Sequence, residues 1–434
     1  MRGIRSSKDA RRGLLVLVAA GIGFVGCSGE VKPIVVGILH SQSGTMAVSE
    51  RAVIDATVLA LEEVNAEGGV LGRPLRWVIA DGASSERIFA QEAERLIRRE
   101  KARVLFGCWT SASRKAVKEV VEREDHLLFY PVQYEGCEAS RNVVYLGAAP
   151  NQQIIPAVSW ALTTLGKRVF LVGSDYIFPR TANTIIRQQV EAVGGTVVGE
   201  RYLALGETAV DSVVSAIHEA RPDVVLNTVN GDTNVLLFES LARSTARHGK
   251  IPIISFSIGE NELKGLADRS PFVGHYAAWN YFESLDRPRN REFLAAFRGK
   301  YGADRAISDP MEAAYCGVKL WAQAVRDASS DVLSEIRPTL FRQSLDAPEG
   351  DLALDPLTQH AWKVARIGRI RADGQFDVVW SSDRPVRPAP FPVWRTRSWW
   401  EGLVEGFHRE WGGRWSNPGE PGPKVDAPST EPSS

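Results

Sequence analysis

The sequence predicts an α/β protein made of two doubly wound, parallel-sheet lobes with a ligand cleft between them. Three observations carry this reading. Short, continuously apolar runs alternate with amphipathic helical stretches from Pro33 onward. The alternation restarts near Asn151, as a second block would. The residues that follow the apolar runs are polar or aromatic, and open parallel sheets hold their ligands beyond those strand ends. A chain of 434 residues exceeds one ordinary core, so two domains are expected. With 44% hydrophobic and 24% charged residues, a disordered or collagen-like chain is excluded.

The first 26 residues stand apart from this pattern. Arg2, Arg5, Lys8, Arg11 and Arg12 form a basic region, and residues 13–26 form an apolar run. That is a secretory signal peptide, too short to span a bilayer comfortably. It ends in "FVGC", whose small residues before Cys27 resemble a bacterial lipobox, with Phe24 where Leu is usual. The lipobox implies cleavage before Cys27 and lipid on its sulfur; ordinary cleavage nearby, leaving Cys27 free, is the alternative. No other apolar run reaches the roughly 20 residues of a membrane helix. Loss of the leader removes more basic than acidic residues, and nothing left offers the basic face that nucleic acid needs.

The elements then follow in order. "IVVGIL" (34–39) reads as a buried parallel strand. Val53, Ala56, Ala60 and Val64 mark a helix face that stops at Gly68-Gly69. "LRWVIAD" is a strand, and Ile88, Phe89, Ala93, Leu96 and Ile97 mark the next helix. "RVLFG", a helix within "GCWTSASRKAV", and the strand "HLLFY" complete the first block. From Asn151 come a helix to about Leu165, "RVFLVGSD", a helix to Val193, a strand from Thr196 and a helix over 210–220. "DVVLNTVNGD", "IPIISFSIGE" and "GHYAAWNYF" are the strands after it. Helices are expected over 310–328 and 332–344, and "WKVARIGRIRADGQFDVVW" reads as a hairpin. The tail from Pro418 is too rich in proline, glycine and small polar residues to build a core.

Six strand exits are candidate ligand contacts: "LHSQSG", "GCWTS", "FYPVQYEG", "GSDYIFP", "NGDTN" and "SIGEN". Three come from each block, so a cleft between two closing lobes would gather them. Each also has a plainer reading. On that reading Thr110 or Ser111 is only a helix cap, Tyr130 and Tyr176 are core aromatics, Asp232 is a cap and Glu260 a first-turn acid. Arg114 and Lys115 read as the solvated side of their helix. Cys108, Cys137 and Cys316 remain after the leader; an odd count leaves at least one thiol free, and a Cys108–Cys137 bridge and three unpaired thiols both stay open.

No GxSxG, GxxxxGK[ST], HExxH or CxxC occurs, and the seven histidines show no ligand-like spacing. The expectation is therefore no catalytic residue, no metal and no cofactor, although a triad assembled in three dimensions would leave no motif.

Taken together, "GCWTSASRKAV", "HLLFYPVQYEG", "GAAPNQQIIPAV", "GSDYIFPRTAN", "NGDTNV", "GHYAAWNYFES", "SDPMEAAYCGVKLWAQAV" and "HAWKVARIGRIRADGQFDVVWSS" carry a resemblance. The chain resembles the urea-binding proteins of bacterial urea ABC transporters, relatives of the short-amide sensors and of branched-chain amino-acid binding proteins. The resemblance covers roughly residues 33–399. It implies a type I periplasmic-binding-protein fold with three crossovers between lobes. Lobe 1 would hold residues 33–150 and 272–344, and lobe 2 residues 151–271 and 345–399. Residues 400–434 would be an extension and disordered tail.

The resemblance also implies a ligand seat of Trp109, Thr110 and Ser111, of Tyr130, Pro131 and Val132, and of Tyr176, Asn230, Asp232 and Glu260. Amide sensors carry Tyr in place of Trp109 and Thr in place of Val132, so the pattern follows the urea type. The implied partners are urea or a short amide, a membrane permease of an ABC transporter, and the membrane through a lipid on Cys27. The expected role is solute capture outside the cytoplasm, in the periplasm or at the cell surface, without enzymatic activity. The alternatives are a ligand-sensing regulator, a branched-chain amino-acid binding protein, and an exported amide hydrolase using Ser111 or Cys108. Urea is neutral, with one carbonyl acceptor and four N–H donors, each of which a buried pocket must satisfy. Backbone N–H groups at the helix start and the Ser111 hydroxyl are the expected donors to its carbonyl.

Overall fold

The computed structural model describes residues 32–419. The expected leader, the expected lipidation site Cys27 and the tail from residue 420 lie outside the described residues. The first sheet is five-stranded and wholly parallel. It contains β1 (Ile34–His40), β2 (Leu75–Asp81), β3 (Leu105–Gly107), β4 (Leu128–Tyr130) and β5 (Val143–Tyr145), in the order β2-β1-β3-β4-β5. Helices α1 (Ala47–Ala66), α2 (Glu86–Arg98) and α3 (Ser111–Arg123) connect the first four strands. Strands covered on both faces must be apolar throughout. Accordingly, Ile34, Val36 and Ile38 enter one core cluster, and Leu39 and Leu105 enter the other.

The second sheet has seven strands in the order β14-β13-β10-β9-β8-β6-β7. Its parallel part is β6 (Arg168–Ser174), β7 (Thr196–Leu203), β8 (Val224–Thr228), β9 (Ile253–Ser255) and β10 (Tyr276–Trp279). Helices α4 (Ile154–Thr164), α5 (Ile177–Ala192), α6 (Asp211–Ala220), α7 (Asp232–His248) and α8 (Glu260–Lys264) accompany it. The expected hairpin, β13 (Arg366–Ile370) and β14 (Phe376–Ser381), adds antiparallel to β10.

Three expected boundaries move. Residues 272–279 were assigned to the first lobe, but β10 pairs with β9 and β13, so the chain leaves the second lobe only after Trp279. After it, α9 (Pro288–Tyr301), α10 (Asp309–Ala328) and α11 (Leu333–Leu340) return to the first lobe. Tyr301 donates to the Asp55 carbonyl at 2.9 Å, and Tyr315 to Glu63 at 2.6 Å, both on α1. Residues 345–361 were assigned to the second lobe. The small hairpin β11 (Ser344–Ala347) and β12 (Gly350–Ala353) instead buries Ala347 and Leu352 in the first-lobe core with Trp321, and Leu354 and Ala361 join them. The extension expected from residue 400 begins within a helix. Helix α12 (Arg397–Glu410) places Trp400 and Val404 in a second-lobe core cluster with Ile185 and Ile186 of α5.

The chain therefore crosses between lobes three times: before α4, after β10 and before β13. Polar side chains tie these crossings together. Gln153 Nε2 donates to the Ala278 carbonyl at 2.6 Å, and Asn280 Nδ2 to the Gln152 and Val364 carbonyls at 3.0 Å. Among the described residues no helix is long and apolar enough to cross a membrane.

Candidate ligand-binding site

The exit of β3 is built by a close approach. A Cβ on Gly107 would stand 2.1 Å from the Leu39 carbonyl oxygen, so no side chain fits there. Cys108 then takes a left-handed φ of 68°, which turns the chain out of the sheet and into α3. Thr110 is the N-cap: its Oγ1 accepts from the Ser113 N–H at 3.1 Å. Ser111 is the first helical residue. Because the Thr110 cap reaches Ser113 and the first helical bond runs from Arg114 N–H to the Thr110 carbonyl, neither engages the Ser111 and Ala112 N–H groups.

The Ser111 hydroxyl donates to Glu135 Oε2 at 2.5 Å and accepts from Arg114 Nη1 at 2.8 Å. Its one proton is committed, so the expected donation from Ser111 Oγ to a ligand carbonyl is not available in this arrangement; a lone pair is. Tyr130 is committed in the same sense, because its hydroxyl donates to the Trp109 carbonyl at 2.6 Å.

Arg114 and Lys115 are not solvated. Arg114 is 0% exposed and Lys115 is 4% exposed. Arg114 donates to Glu138 at 3.1 Å and to Glu135 at 3.0 Å, and its guanidinium lies 5.0 Å from the Tyr130 ring centroid and 4.4 Å from that of Tyr134. Lys115 Nζ donates to Glu138 at 2.8 Å. The two cations beside Glu138 hold its carboxyl well below the usual range despite complete burial.

These groups meet the other lobe. Trp109 Nε1 approaches Asn230 Oδ1 at 3.4 Å, and the Asn230 N–H is held by Ser174 Oγ at 3.0 Å. Gln133 Nε2 donates to the Phe256 carbonyl at 2.6 Å, while its Oε1 is buried without a partner. Tyr176, the N-cap of α5, is 2% exposed. Its hydroxyl is pushed well up by burial, with Tyr130 and Glu135 adding to the shift. The structure thus gathers Trp109, Thr110, Ser111, Tyr130, Tyr176 and Asn230 around one buried interlobe region, with Val132 buried beside them in the Tyr130 segment.

Two candidates stand apart. Asp232 is exposed in the first turn of α7. Glu260 is fully buried, but its Oε1 accepts from the Glu283 N–H at 2.8 Å, and its electrostatic neighbours are Glu283 and Glu262, at the crossing after β10. Its Oε2 has no partner, and burial pushes its carboxyl strongly up. The residues that sequence reasoning missed are Gln133, Glu135 and Glu138. All three lie in or beside the quoted "FYPVQYEG", where two acids three apart follow a helix start carrying two adjacent cations.

Neither thiol beside the site is bridged: Cys108, Cys137 and Cys316 are free and buried. Burial, with Glu50 nearby, pushes the Cys108 thiol well up, the opposite of what a nucleophile needs. Ser111 does have a carboxylate within reach, Glu135, but the other oxygen of that group is held by Arg114. Among the described residues, no group of His, Cys, Asp and Glu could hold a metal ion.

This is a two-lobed architecture with the candidate residues buried where the lobes meet. The chain belongs to the periplasmic binding protein domain family, whose model matches residues 34–397. Similar solved structures confirm the fold. A solute-binding protein of an ABC transporter from Rhodopseudomonas palustris HaA2, in complex with p-hydroxybenzoic acid, is 19% identical with a TM-score of 0.75, over 84% of this chain and 100% of that one. A leucine-binding protein from Thermotoga maritima is 18% identical with a TM-score of 0.69, over 80% and 98%. A curated relative, "Limonene hydroxylase" of Geobacillus stearothermophilus, is 35% identical over 118 residues, which are 27% of this chain and 22% of that protein. The chain thus spans about a fifth of that relative's length.

Proposed function

We propose that the protein is an exported receptor that captures urea or a close short amide between its lobes and delivers it to the membrane permease of an ABC transporter. It would do no chemistry on its ligand. The export leader and the lipobox-like Cys27 support a tethered position outside the cytoplasm.

One observation carries the choice of a neutral ligand. The charges beside Ser111 cancel within the first lobe: Arg114 and Lys115 are fully engaged by Glu135 and Glu138. Among the described residues beside Ser111, both cations are already paired with carboxylates, so neither sign is free there to meet a benzoate, an amino-acid carboxylate or an ammonium. What remains is dipolar. The Ser111 and Ala112 N–H groups suit a carbonyl oxygen at the start of a helix. Lone pairs on Ser111 Oγ, the Tyr130 hydroxyl and Gln133 Oε1 suit amide N–H donors. Trp109, Tyr176 and Val132 supply walls that exclude water. Each ligand group left unmatched there would cost about 1–3 kcal/mol.

Isothermal titration of the purified protein is the test. Heat is expected with urea, acetamide or formamide. Silence with all three, together with binding of leucine, overturns the reading in favour of an α-amino acid. That second reading has one observation behind it, the buried and unpartnered Glu260 Oε2, which an ammonium group would ionise.

A further inference from the structure

Beyond the matched residues 34–397, the chain continues as a strap after α12. The strap rides on the second lobe. Trp411 is buried in its core. The Ile177 N–H donates to the Trp415 carbonyl at 3.0 Å, and Asn417 N–H donates to the Asp175 carbonyl at 3.1 Å. Asn417 Nδ2 also reaches Asp175 Oδ2 at 2.7 Å, and Ser416 forms an antiparallel bridge with Tyr176. The ring of His408 on α12 stacks on Trp415 with centroids 3.9 Å apart.

The same few residues also grip the first lobe, through two side chains. Glu86, which opens α2, accepts the Trp415 N–H at 3.1 and 3.2 Å on its two oxygens, and Ser416 Oγ at 3.3 Å. Lys115 Nζ lies 4.8 Å from the Trp415 ring centroid. Beneath this span is a hollow of ≈ 730 Å³ with walls from both lobes, including Ala116 and Glu119 on one side and Asp175 and Leu205 on the other. The strap bridges a gap between the lobes.

We propose that residues 411–418 form a latch that holds the cleft shut and positions Tyr176 against the ligand. Among the described residues, the strap's hydrogen bonds to the first lobe go to Glu86 and its cation–ring contact to Lys115; lobe opening breaks these, while the bonds to Asp175, Tyr176 and Ile177 move with the second lobe. The latch and the seat share two parts: Ser416 pairs with Tyr176, and Lys115 is tied to Glu138 and through it to Arg114. Closing the latch therefore brings the Tyr176 backbone, already paired with Ser416, up to the buried end of α3. Glu86 and Trp415 are positioning residues; neither touches the ligand.

The inference rests on the closing-receptor reading, and its test separates the two. Glu86→Gln keeps the size of the side chain but removes the charge that strengthens the two hydrogen bonds; Trp415→Ala removes the ring over Lys115. Pulsed electron–electron distances between spin labels on Arg99→Cys of the first lobe and Glu219→Cys of the second report lobe separation without any ligand. Both variants are expected to add a longer-distance population and to speed release of urea about 5- to 10-fold, with an unchanged melting temperature. An unchanged distance distribution in both variants overturns the latch, and so does a lowered melting temperature with unchanged distances, which marks plain packing. Absence of urea binding in the unsubstituted protein defeats the ligand assignment while the distances still decide the latch.

Discussion

Replacing Arg114 with Met probes the network on which the ligand assignment depends. Arg114 is 0% exposed and makes hydrogen bonds to Glu138, Ser111 and Glu135 at 3.1, 2.8 and 3.0 Å. Met matches its stem but leaves Glu135 buried with Ser111 as its remaining partner, while Glu138 keeps Lys115. Breaking a buried ion pair by removing one member costs about 3–5 kcal/mol, because the abandoned charge is uncompensated. Three charge-assisted bonds summed singly would exceed that, but the surviving Lys115–Glu138 contact limits the loss. For a chain this large, a loss of that size lowers the melting point by roughly 3–6 °C. Guanidinium chloride unfolding followed by circular dichroism measures it; urea is unsuitable because it is the proposed ligand. Arg114→Met with Glu135→Gln should recover part of the loss, since the orphaned charge goes with it. A single variant within about 1 kcal/mol of the unsubstituted protein, or a double variant whose losses simply add, would refute the view that Arg114 neutralises the seat.

Three further outcomes follow from the same geometry. Trp109→Tyr shortens one wall of the seat and removes the N–H near Asn230, so binding should shift from urea toward acetamide or propionamide, read by competitive titration; unchanged selectivity sends the specificity question to the second lobe. Asp309, buried at the crossing after β10, has its carboxyl raised to about 6 by desolvation, with Oδ2 accepting the Asn280 and Tyr281 N–H groups. A raised folded-state value means the folded protein holds the proton more tightly, so the stability it contributes is full below about pH 4 and is lost as pH rises toward 6; Asp309→Asn should flatten that slope in pH-resolved melts, and an unaltered slope contradicts it. Finally, incubation with urea or acetamide should release no ammonia at any protein concentration; release that vanishes in Ser111→Ala would establish hydrolysis with Glu135 as the base.

Much of the fold was legible because a buried parallel strand is apolar along its whole length, and "IVVGIL", "RVFLVGSD" and "DVVLNTV" announce themselves. Lobe membership was not local information. "HYAAW" would suit either sheet, and only its pairing with β9 and β13 decides. The short β5 escaped because Val143–Tyr145 is too brief to show a period. The helix at 397–410 did carry a signal, since Trp400, Val404, Phe407 and Trp411 repeat at helical spacing after the proline-rich stretch. In the site, Trp109, Ser111, Tyr130 and Tyr176 were readable from strand exits. Arg114 and Lys115 were misread because adjacent cations on a helix are usually solvated. Their partners lie more than 20 residues away in sequence, beyond any helical spacing rule.

The buried charges also bear on how a cleft of this architecture changes ligand class. A receptor for a carboxylate needs an uncommitted donor set or cation at the first strand exits, and one for an amino acid needs an acid as well. Here the helix start still offers N–H groups, but Arg114, the cation beside Ser111, is already held by Glu135 and Glu138. On the proposed reading, a carboxylate entering the seat would meet a Glu135 already paired with Arg114 and no uncommitted cation to receive it. A neutral amide meets only dipoles. On that reading, Glu135 and Glu138 disfavour anionic ligands by committing Arg114 and Lys115. Glu135→Gln should then weaken the discrimination between urea and acetate. If acetate still fails to bind Glu135→Gln while urea binding persists, the exclusion of anions lies elsewhere in the cleft.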